Sequence, residues 1–261
     1  MLMPTARKRF GQHFLQDKHI IQRIVDAIKP LPDQHLVEIG PGQGALTLPI
    51  LKKAGQLDAI EIDRDLIPSL KMRCKDKGDL IIHQADALEF DYATLLKDQR
   101  PLRLIGNLPY NISTPLIFHL LQYADHILDM HFMLQKEVVE RLVARTGTHA
   151  YGRLSIMVQY HCLVSSLFNV SADAFYPQPK IESSIVRLIP HREFIHRAKN
   201  FDHFANLVKS AFSKRRKTLR NSLKEIVTDA DWEKTNIDSH LRPEQLSLAE
   251  YVKLSNALVS L

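Results

Sequence analysis

The chain has 261 residues, of which 45% are hydrophobic and 25% charged, with a formal net charge of +6, and this is an ordinary globular composition long enough to bury a large core. Because no uninterrupted apolar run exceeds three residues, a membrane-spanning helix is excluded, and the first residues lack the apolar stretch of a secretory signal. The only cysteines are Cys74 and Cys162, which excludes a disulfide framework and predicts a cytoplasmic protein.

Short β-like runs alternate with helical stretches through the first two-thirds of the chain. The predicted strands are 36–39, 57–62, 80–83, 102–106 and 130–134, and the predicted helices lie around 17–28, 45–53, 64–72, 114–122 and 135–143. This alternation predicts βαβ units and a mostly parallel sheet covered on both faces, hence an α/β fold. Two later runs, 161–168 and 184–189, predict an antiparallel edge, and Pro177 and Pro179 between them predict a long, structured loop.

The pattern changes after Pro190. Apolar residues then follow helical spacing, and no strand-like run interrupts them; they include Phe201, Phe204, Leu207, Val208, Ala211, Phe212, Leu219, Leu223 and Ile226. We therefore predict two domains, residues 1–190 and a small all-helical domain of residues 191–261.

Two clusters of basic residues stand out. Between 213 and 224 no acidic residue accompanies Lys214, Arg215, Arg216, Lys217, Arg220 and Lys224. A smaller cluster consists of Arg7, Lys8 and Arg9. Such clusters can neutralise the phosphates of a nucleic acid, which predicts an anionic partner. A solvated helix face is the alternative for the cluster between 213 and 224.

A glycine-rich turn follows the first predicted strand of the sheet. Gly40, Gly42 and Gly44 alternate between that strand and a helix, and in an open α/β sheet this turn borders the ligand crevice. Glu61 ends the next strand, where a carboxylate can accept hydrogen bonds from both ribose hydroxyls of an adenosine-containing ligand. Asp86 follows the third strand, in position to bind an adenine edge.

These residues alone leave the chemistry open. Gly40, Gly42 and Ala45 also fit the dinucleotide pattern G-x-G-x-x-[GA], and Glu61 supplies its acid. An NAD-dependent dehydrogenase and an S-adenosylmethionine-dependent methyltransferase are therefore nearly equal candidates. Glycines that only shape a turn, and acids that only begin or cap helices, are the structural alternatives.

The sequence Asn107-Leu108-Pro109-Tyr110 after the fourth strand distinguishes those candidates. The exocyclic amine of adenine is flat and weakly nucleophilic because its lone pair is delocalised into the ring. The Asn107 side-chain oxygen and the Leu108 carbonyl can accept its two hydrogens as the nitrogen becomes pyramidal, which stabilises the transition state. Pro109 shapes the turn, and Tyr110 offers a ring on which the base can stack. An ordinary turn is the alternative.

Several other chemistries lack their motifs. Neither cysteine follows a proline, as the nucleophile of a cytosine-C5 methyltransferase usually does, and no H-E-x-x-H, phosphate-binding G-x-x-x-x-G-K-[ST] or G-x-S-x-G motif occurs. The scattered histidines fit solvated or hydrogen-bonded side chains better than metal ligands. We expect no bound metal.

Six ordered motifs extend over the chain: GQHFL (11–15), VEIGPGQGALT (37–47), EIDRDL (61–66), ADAL (85–88), GNLPYNISTPL (106–116) and FYPQPKIESS (175–184). With them the chain closely resembles the bacterial ribosomal RNA adenine dimethyltransferases, in the small-subunit branch whose loss gives kasugamycin resistance. The resemblance covers essentially the whole length. It implies a class I methyltransferase fold, Rossmann-like, with a seven-stranded, mostly parallel sheet containing one antiparallel strand, plus a small all-helical C-terminal domain.

The resemblance also implies an activity and a substrate. Four methyl groups would pass from S-adenosylmethionine to N6 of two adjacent adenosines near the 3′ end of 16S rRNA, in the immature 30S subunit, with a role in subunit biogenesis. Residues 1–190 would be the catalytic domain and residues 191–261 a helical domain with a basic surface for RNA. We expect a monomer that does not bind membranes.

The family's functional positions map onto this chain as expectations. Cofactor binding would involve His13, Leu15, Gly40, Gly42, Glu61, Asp86 and Asn107. The catalytic residues would be Asn107, Leu108, Pro109 and Tyr110, with Phe175 stacking on the base opposite Tyr110. RNA binding would involve Arg7, Lys8, Arg9, Lys214, Arg215, Arg216, Lys217 and Arg220. His13 stands where many members have asparagine, which leaves its contribution open.

Three alternatives remain. A large-subunit rRNA methyltransferase of the antibiotic-resistance type shares the glycine turn and the Asn-x-Pro-Tyr arrangement. The specific residues of the NLPYNIS and FYPQPK motifs, however, favour the small-subunit branch. A dehydrogenase would leave NLPY unexplained. A non-catalytic assembly factor would have no need for the intact cofactor residues.

Overall fold

The computed structural model describes residues 12–96, 99–214 and 216–259. Its strands are β1 (Phe14–Leu15), β2 (His35–Ile39), β3 (Gln56–Glu61), β4 (Asp79–Gln84), β5 (Leu102–Asn107), β6 (Ile127–Gln135), β7 (Cys162–Val170), β8 (Phe175–Tyr176) and β9 (Ser183–Pro190). Its α-helices are α1 (Lys18–Ile28), α2 (Thr47–Ala54), α3 (Ile67–Cys74), α4 (Ser113–Leu121), α5 (Lys136–Leu142), α6 (Arg153–His161), α7 (Phe201–Ala211), α8 (Leu219–Ser222), α9 (Asp229–Thr235) and α10 (Leu248–Leu258).

Seven strands form the main sheet in the order β4-β3-β2-β5-β6-β9-β7. Strands β2 to β6 pair in parallel, and β9 is antiparallel to β6. The two-residue strands β1 and β8 form a separate antiparallel ribbon. The predicted fold is confirmed: a mostly parallel seven-stranded sheet with an antiparallel strand, followed by a helical C-terminal region.

Contacts divide the described residues into two units, one drawn from 12–139 and 165–190 and the other from 140–164 and 191–259. The second unit therefore includes α6, a helix that the sequence pattern did not predict. The domain boundary placed at residue 190 from the sequence alone stays a prediction.

Helices cover the sheet of the first unit through apolar faces. Helix α1 begins at Asp17, whose carboxylate accepts hydrogen bonds from the N–H groups of His19 and Ile20 at 2.8 and 3.1 Å. Its buried side chains join those of α2, α3 and the strands in one hydrophobic cluster; α1 contributes Ile24, Val25 and Ile28. Burying this apolar surface is the main stabilising contribution to the unit.

Strand register brings the ends of the parallel strands together. Ile39 lies opposite Ile60, and Glu61 lies opposite Gln84. Because parallel strands end at the same edge of a sheet, the loops after β2, β3, β4 and β5 meet there.

The second unit is helical after residue 190, with no strand in 191–214 or 216–259. Side chains cap α7 and α10: Asn200 accepts from the His203 N–H at 3.0 Å at the start of α7, and Ser247 and Glu250 form a capping box on α10. Across the described ranges of both units, no helix is long and apolar enough to span a membrane.

Candidate active site at the carboxyl edge of the sheet

A cavity opens where the loops after β2, β3, β4 and β5 meet. Ten residues predicted from the sequence line it: His13, Leu15, Gly40, Gly42, Glu61, Asp86, Asn107, Leu108, Pro109 and Tyr110. Its lining also includes Gln12, Glu38, Ile62 and Asn111. The structure thus brings together residues that are far apart in the chain, in an open space suited to a small ligand.

The glycine turn and Glu61 form one hydrogen-bonded unit. Gly40 and Gly42 have φ of +69° and +53°, the left-handed region that favours glycine. The Gly42 N–H donates to Glu61 Oε2 at 3.0 Å, and the Asp63 N–H donates to Oε1 at 2.8 Å. A carboxylate offers about four lone-pair sites, so Glu61 can still accept from a ligand's hydroxyl groups.

Burial affects the charge of Glu61. Loss of hydration raises its pKa above the ordinary value, while the N–H groups of Asp63 and Gly42 partly lower it. These two donors hold the carboxylate in place at the cavity wall.

Glu38 is a cavity residue that the sequence interpretation missed. Burial raises the pKa of Glu38 to about 7, with a partial lowering by the hydroxyl of Thr47, which donates to its Oε2 at 2.6 Å. The available clue was an acid inside an otherwise apolar strand, directly before Ile39-Gly40. Acids are seldom fully buried without a charged partner, so a buried glutamate at the cavity whose hydrogen-bond donor is a hydroxyl is a candidate functional residue.

Asp86 lies at the cavity and also begins a turn. Its Oδ1 accepts from the Leu88 N–H at 2.9 Å. The other carboxylate oxygen of Asp86 accepts no hydrogen bond from the described residues, and the residue lines the cavity. Its position is therefore compatible with both interpretations drawn from the sequence, a cap and a ligand contact.

The side chain of Asn107 has a defined orientation. Its Nδ2 donates to the backbone carbonyl of His13 at 3.0 Å. Because a carbonyl only accepts, the amide nitrogen must face His13, and Oδ1 remains available as an acceptor at the cavity wall. The next residue is anchored as well, since the Leu108 N–H donates to the carbonyl of Met133 at 3.2 Å.

Tyr110 is held by contacts from two distant segments. Its hydroxyl is 2.9 Å from Ser183 Oγ, and the His13 ring stacks against it at 5.9 Å between centroids and 28° between planes. His13 in turn donates from Nδ1 to the Pro177 carbonyl at 2.7 Å. Burial raises the pKa of Tyr110 above its ordinary value, so the phenol is neutral. The sequence interpretation did not assign Ser183 or the Pro177 carbonyl to the site.

Phe175 is not among the residues lining the cavity. It is 5% exposed, packs in the hydrophobic cluster of the first unit and lies opposite Leu15 in the β1–β8 ribbon. Tyr176, beside it, is 68% exposed. The predicted stacking of Phe175 on the target base stays a prediction.

The predicted RNA-binding residues lie only partly within the described structure. Arg7, Lys8, Arg9 and Arg215 are outside the described residues. Lys214, Arg216 and Lys217 are exposed, whereas Arg220 is engaged by Asp229 at 2.8 Å. Within the ranges that the structure describes, no group of acids, histidines and cysteines has an arrangement that could hold a metal ion.

Comparisons with known proteins identify the family of the chain. The family model described as "Ribosomal RNA adenine dimethylase" matches residues 3–259. A protein of Chromohalobacter salexigens named "Ribosomal RNA small subunit methyltransferase A" is 56% identical over 255 residues, covering 96% of this chain and 90% of its own. A protein of the same name from Pseudomonas aeruginosa is 56% identical over 256 residues, with coverages of 98% and 96%.

Solved structures support the fold. The dimethyladenosine transferase from Plasmodium falciparum has a TM-score of 0.80 at 29% identity, covering 93% of this chain and 96% of its own. The 23S rRNA methyltransferase ErmE has a TM-score of 0.74 at 24% identity over 94% of this chain and 99% of its own, which shows a shared fold. The chain belongs to the ribosomal RNA adenine dimethylase family, whose members take the methyl group from S-adenosylmethionine.

Proposed function

We propose that this enzyme transfers four methyl groups to N6 of two adjacent adenosines near the 3′ end of 16S rRNA, within an immature 30S subunit and as a step in its biogenesis. The names of its relatives, which refer to the small ribosomal subunit, support this choice of substrate. The observation that carries the chemistry is the fixed amide of Asn107, whose oxygen is left as an acceptor beside the glycine turn.

The cavity residues fit S-adenosylmethionine. Glu61 is placed by two backbone N–H groups and has lone pairs left for the ribose hydroxyls. Asp86 offers a carboxylate oxygen to the adenine amine, and His13, Leu15, Gly40 and Gly42 complete the wall. When bound, the sulfonium supplies an electrophilic methyl group.

Asn107 and Leu108 would act on the target amine. As the nitrogen attacks in the first transfer, its two N–H groups leave the plane of the base and donate hydrogen bonds to the Asn107 Oδ1 and the Leu108 carbonyl. In the second transfer to the same nitrogen, the one remaining N–H donates such a bond. Acceptors fixed before the reaction need no reorganisation, which is why they lower the barrier. The added positive charge leaves as a proton after transfer, so no dedicated base is required. Pro109 shapes the turn, and Tyr110 would hold the base by stacking. Stacking of Phe175 on the opposite face would require its ring to leave the hydrophobic cluster in which it is buried.

RNA binding would extend beyond the cavity. The exposed cations Lys214, Arg216 and Lys217 are suited to phosphates, and we assign Arg7, Lys8, Arg9, Arg215 and Arg220 to the same task. We further propose that the enzyme acts as a monomer in the cytoplasm, where a ribosomal subunit is assembled.

The test is methylation of purified subunits. The enzyme is incubated with radiolabelled S-adenosylmethionine and unmethylated 30S subunits, and the labelled nucleosides are mapped along the rRNA. We expect N6,N6-dimethyladenosine at two adjacent positions near the 3′ end of 16S rRNA, with four methyl groups per subunit. Fully methylated 30S subunits and 50S subunits are the controls. Label confined to 23S rRNA would overturn the proposal in favour of a large-subunit enzyme.

A further inference from the structure

A patch of exposed apolar side chains lies on the second unit, where α6 ends and α7 begins. Phe194 and Phe201 are 39% and 41% exposed, and Ile195 is 83% exposed. Both rings contact the ring of His161, at centroid distances of 6.0 and 5.1 Å. The two phenylalanines therefore belong to one continuous surface, and contiguous exposed apolar surface of this kind often marks an interaction site.

The patch is held in place from beneath. Phe194 and Phe201 pack on Tyr160 with centroids 5.0 and 5.6 Å apart, and Tyr160 itself is only 6% exposed. The Ala198 N–H donates to the Tyr160 hydroxyl at 3.2 Å. A surface that is already ordered loses little conformational entropy when a partner binds.

The backbone of the same segment is tied to α10. The Asn256 side chain donates to the Arg197 carbonyl at 2.9 Å and accepts from the Lys199 N–H at 2.7 Å. These two bonds fix the backbone while the side chains of Arg197 and Lys199 remain exposed. The cations are therefore placed beside the apolar patch by the fold itself.

The charge around the patch favours an anionic partner. Arg197 and Lys199 are exposed, and neither forms an ion pair with any residue in 12–96, 99–214 or 216–259. Exposed Arg192 and His196 lie in the same short segment, and the exposed acids beside the patch residues in sequence are Glu193 and Asp202. Rings interleaved with cations are typical of surfaces that bind single-stranded nucleic acid, where bases stack and phosphates pair with charges. The cores of protein interfaces, by contrast, are depleted of lysine.

We propose that this aromatic–basic patch, formed by Phe194, Ile195, Phe201, Arg197 and Lys199, binds unpaired bases of ribosomal RNA. This contact is additional to the one proposed for the basic segment 213–224. The proposal rests on the proposed function, because the RNA that it names is that of the small ribosomal subunit. Phe194 and Phe201 stack on bases, while Arg197 and Lys199 pair with the adjoining phosphates.

The first test separates stacking from simple apolar contact. Unmethylated 30S subunits are titrated with wild type, Phe194→Leu and Phe194→Tyr, after thermal melts show that all three are equally folded. We expect Phe194→Leu to raise the Kd about fivefold or more, because one base–aromatic stack is lost, and Phe194→Tyr to stay within about twofold. Equal binding by the Leu variant overturns the proposal.

The second test concerns the charges. Replacing Arg197 and Lys199 by Gln should reduce the slope of log Kd against log salt by up to about 0.7 per lost phosphate contact. Met72→Ala, which removes an apolar side chain 59% exposed on the first unit, is the control and should leave binding unchanged. An unchanged slope in the Gln variant contradicts the assigned role of the cations.

A cross-link identifies the partner. With p-benzoylphenylalanine at position 194, irradiation of the complex should join the protein to rRNA. Cross-links to ribosomal proteins alone, or none, overturn the RNA assignment. Failure of the proposed function gives a different result from failure of the patch. If the proposed function is wrong, the wild type itself does not bind unmethylated 30S subunits. If only the patch assignment is wrong, wild-type binding is intact and is still weakened by Lys214→Ala and Lys217→Ala.

Discussion

Two regions of the first unit contain acidic side chains that are almost equally buried. In the interior of the sheet, Asp58 and Asp129 are 5% and 2% exposed; at the cavity, Glu38 and Glu61 are 2% and 3% exposed. Asp129 forms ion pairs with arginines, and Asp58 is hydrogen-bonded to two histidines. Arg103 donates to both oxygens of Asp129 at 2.9 Å each, whereas neither cavity acid forms an ion pair with the described residues.

The pKa values of Asp58 and Glu38 move in opposite directions. Burial by itself would raise the pKa of Asp58, but hydrogen bonds and charge from His35 and His83, at 3.1 and 2.6 Å, bring it below the ordinary value. For Glu38, burial prevails and the pKa rises to about 7. Burial alone therefore does not locate the site; the site is where buried acids lack cations and face open space.

The largest effect should come from breaking an interior pair. Asp129→Ala leaves the guanidinium of Arg103, a residue only 5% exposed, without its carboxylate, and loss of one partner of a buried ion pair costs about 3–5 kcal/mol of unfolding free energy. Urea denaturation measures this loss. Asp26→Ala, which breaks an exposed pair with Lys53, is the control and should cost less than about 1 kcal/mol. Equal losses of unfolding free energy in Asp129→Ala and Asp26→Ala would remove the distinction between the buried pair and the exposed pair.

Asn107→Ala tests the cavity side. We expect single-turnover methylation to fall at least about a hundredfold, the scale for loss of one oriented transition-state group, while calorimetry shows S-adenosylmethionine binding within a few-fold of wild type. The melting temperature should change little, in contrast to Asp129→Ala. Methylation at the wild-type rate would refute the role proposed for Asn107.

Glu38→Gln should stabilise the protein. The folded-state pKa of Glu38 is about 7 against an ordinary 4.5, so the folded state holds the proton more tightly, and stability falls as pH rises from 4.5 to 7. Gln avoids this cost and can still accept from Thr47. At pH 8 the variant should be more stable by up to about 3 kcal/mol, with no gain below pH 4.5.

Urea denaturation from pH 4 to 8 measures this difference in stability. Methylation rates are measured alongside, and we expect them to be lower in Glu38→Gln than in wild type. A pH-independent difference between Glu38→Gln and wild type would show that the charge of Glu38 is not responsible. The corresponding change Asp58→Asn, at a carboxyl group whose pKa is lowered, should act in the opposite sense and destabilise the protein above pH 4.

The smallest effect concerns the Tyr110–Ser183 hydrogen bond. Tyr110→Phe and Ser183→Ala each remove it, and a bond worth about 1 kcal/mol corresponds to roughly a fivefold loss in kcat. If Ser183 acts only by positioning Tyr110, the double variant should be no slower than either single variant. Ser184→Ala, which removes a bond to the Phe168 carbonyl, is the control and should leave kcat unchanged.

Much of the fold is predictable from the sequence because each parallel strand is a short apolar run that ends at a turn. Helix α6 was missed because five consecutive residues from Leu154 to Val158 are buried, so it lacks the amphipathic period that identifies a surface helix. The β1–β8 ribbon was missed because two-residue strands have no pattern. Both elements depend on tertiary contacts rather than on local preference.

In the candidate site, too, local patterns were predictable from the sequence and tertiary contacts were not. Glu61, Asp86 and Asn107 were identified because each lies at or just after a strand end, where position predicts proximity. Ser183 was not, since it reaches Tyr110 across 73 positions of sequence, and a single sequence does not show such pairings. Phe175 belongs to a site motif and is also strongly apolar, and only the structure shows that it is buried.

The candidate site also has an order of assembly. A nascent chain that has reached residue 139 already contains strands β2 to β6 and the hydrogen-bonded pair of glycine turn and Glu61. The partners of Tyr110 and His13 at Ser183 and Pro177 emerge only after a segment, 140–164, that belongs to the other unit. During translation the glycine turn and Glu61 can therefore come together first, and Tyr110 and His13 gain their last anchors only when β9 has been synthesised.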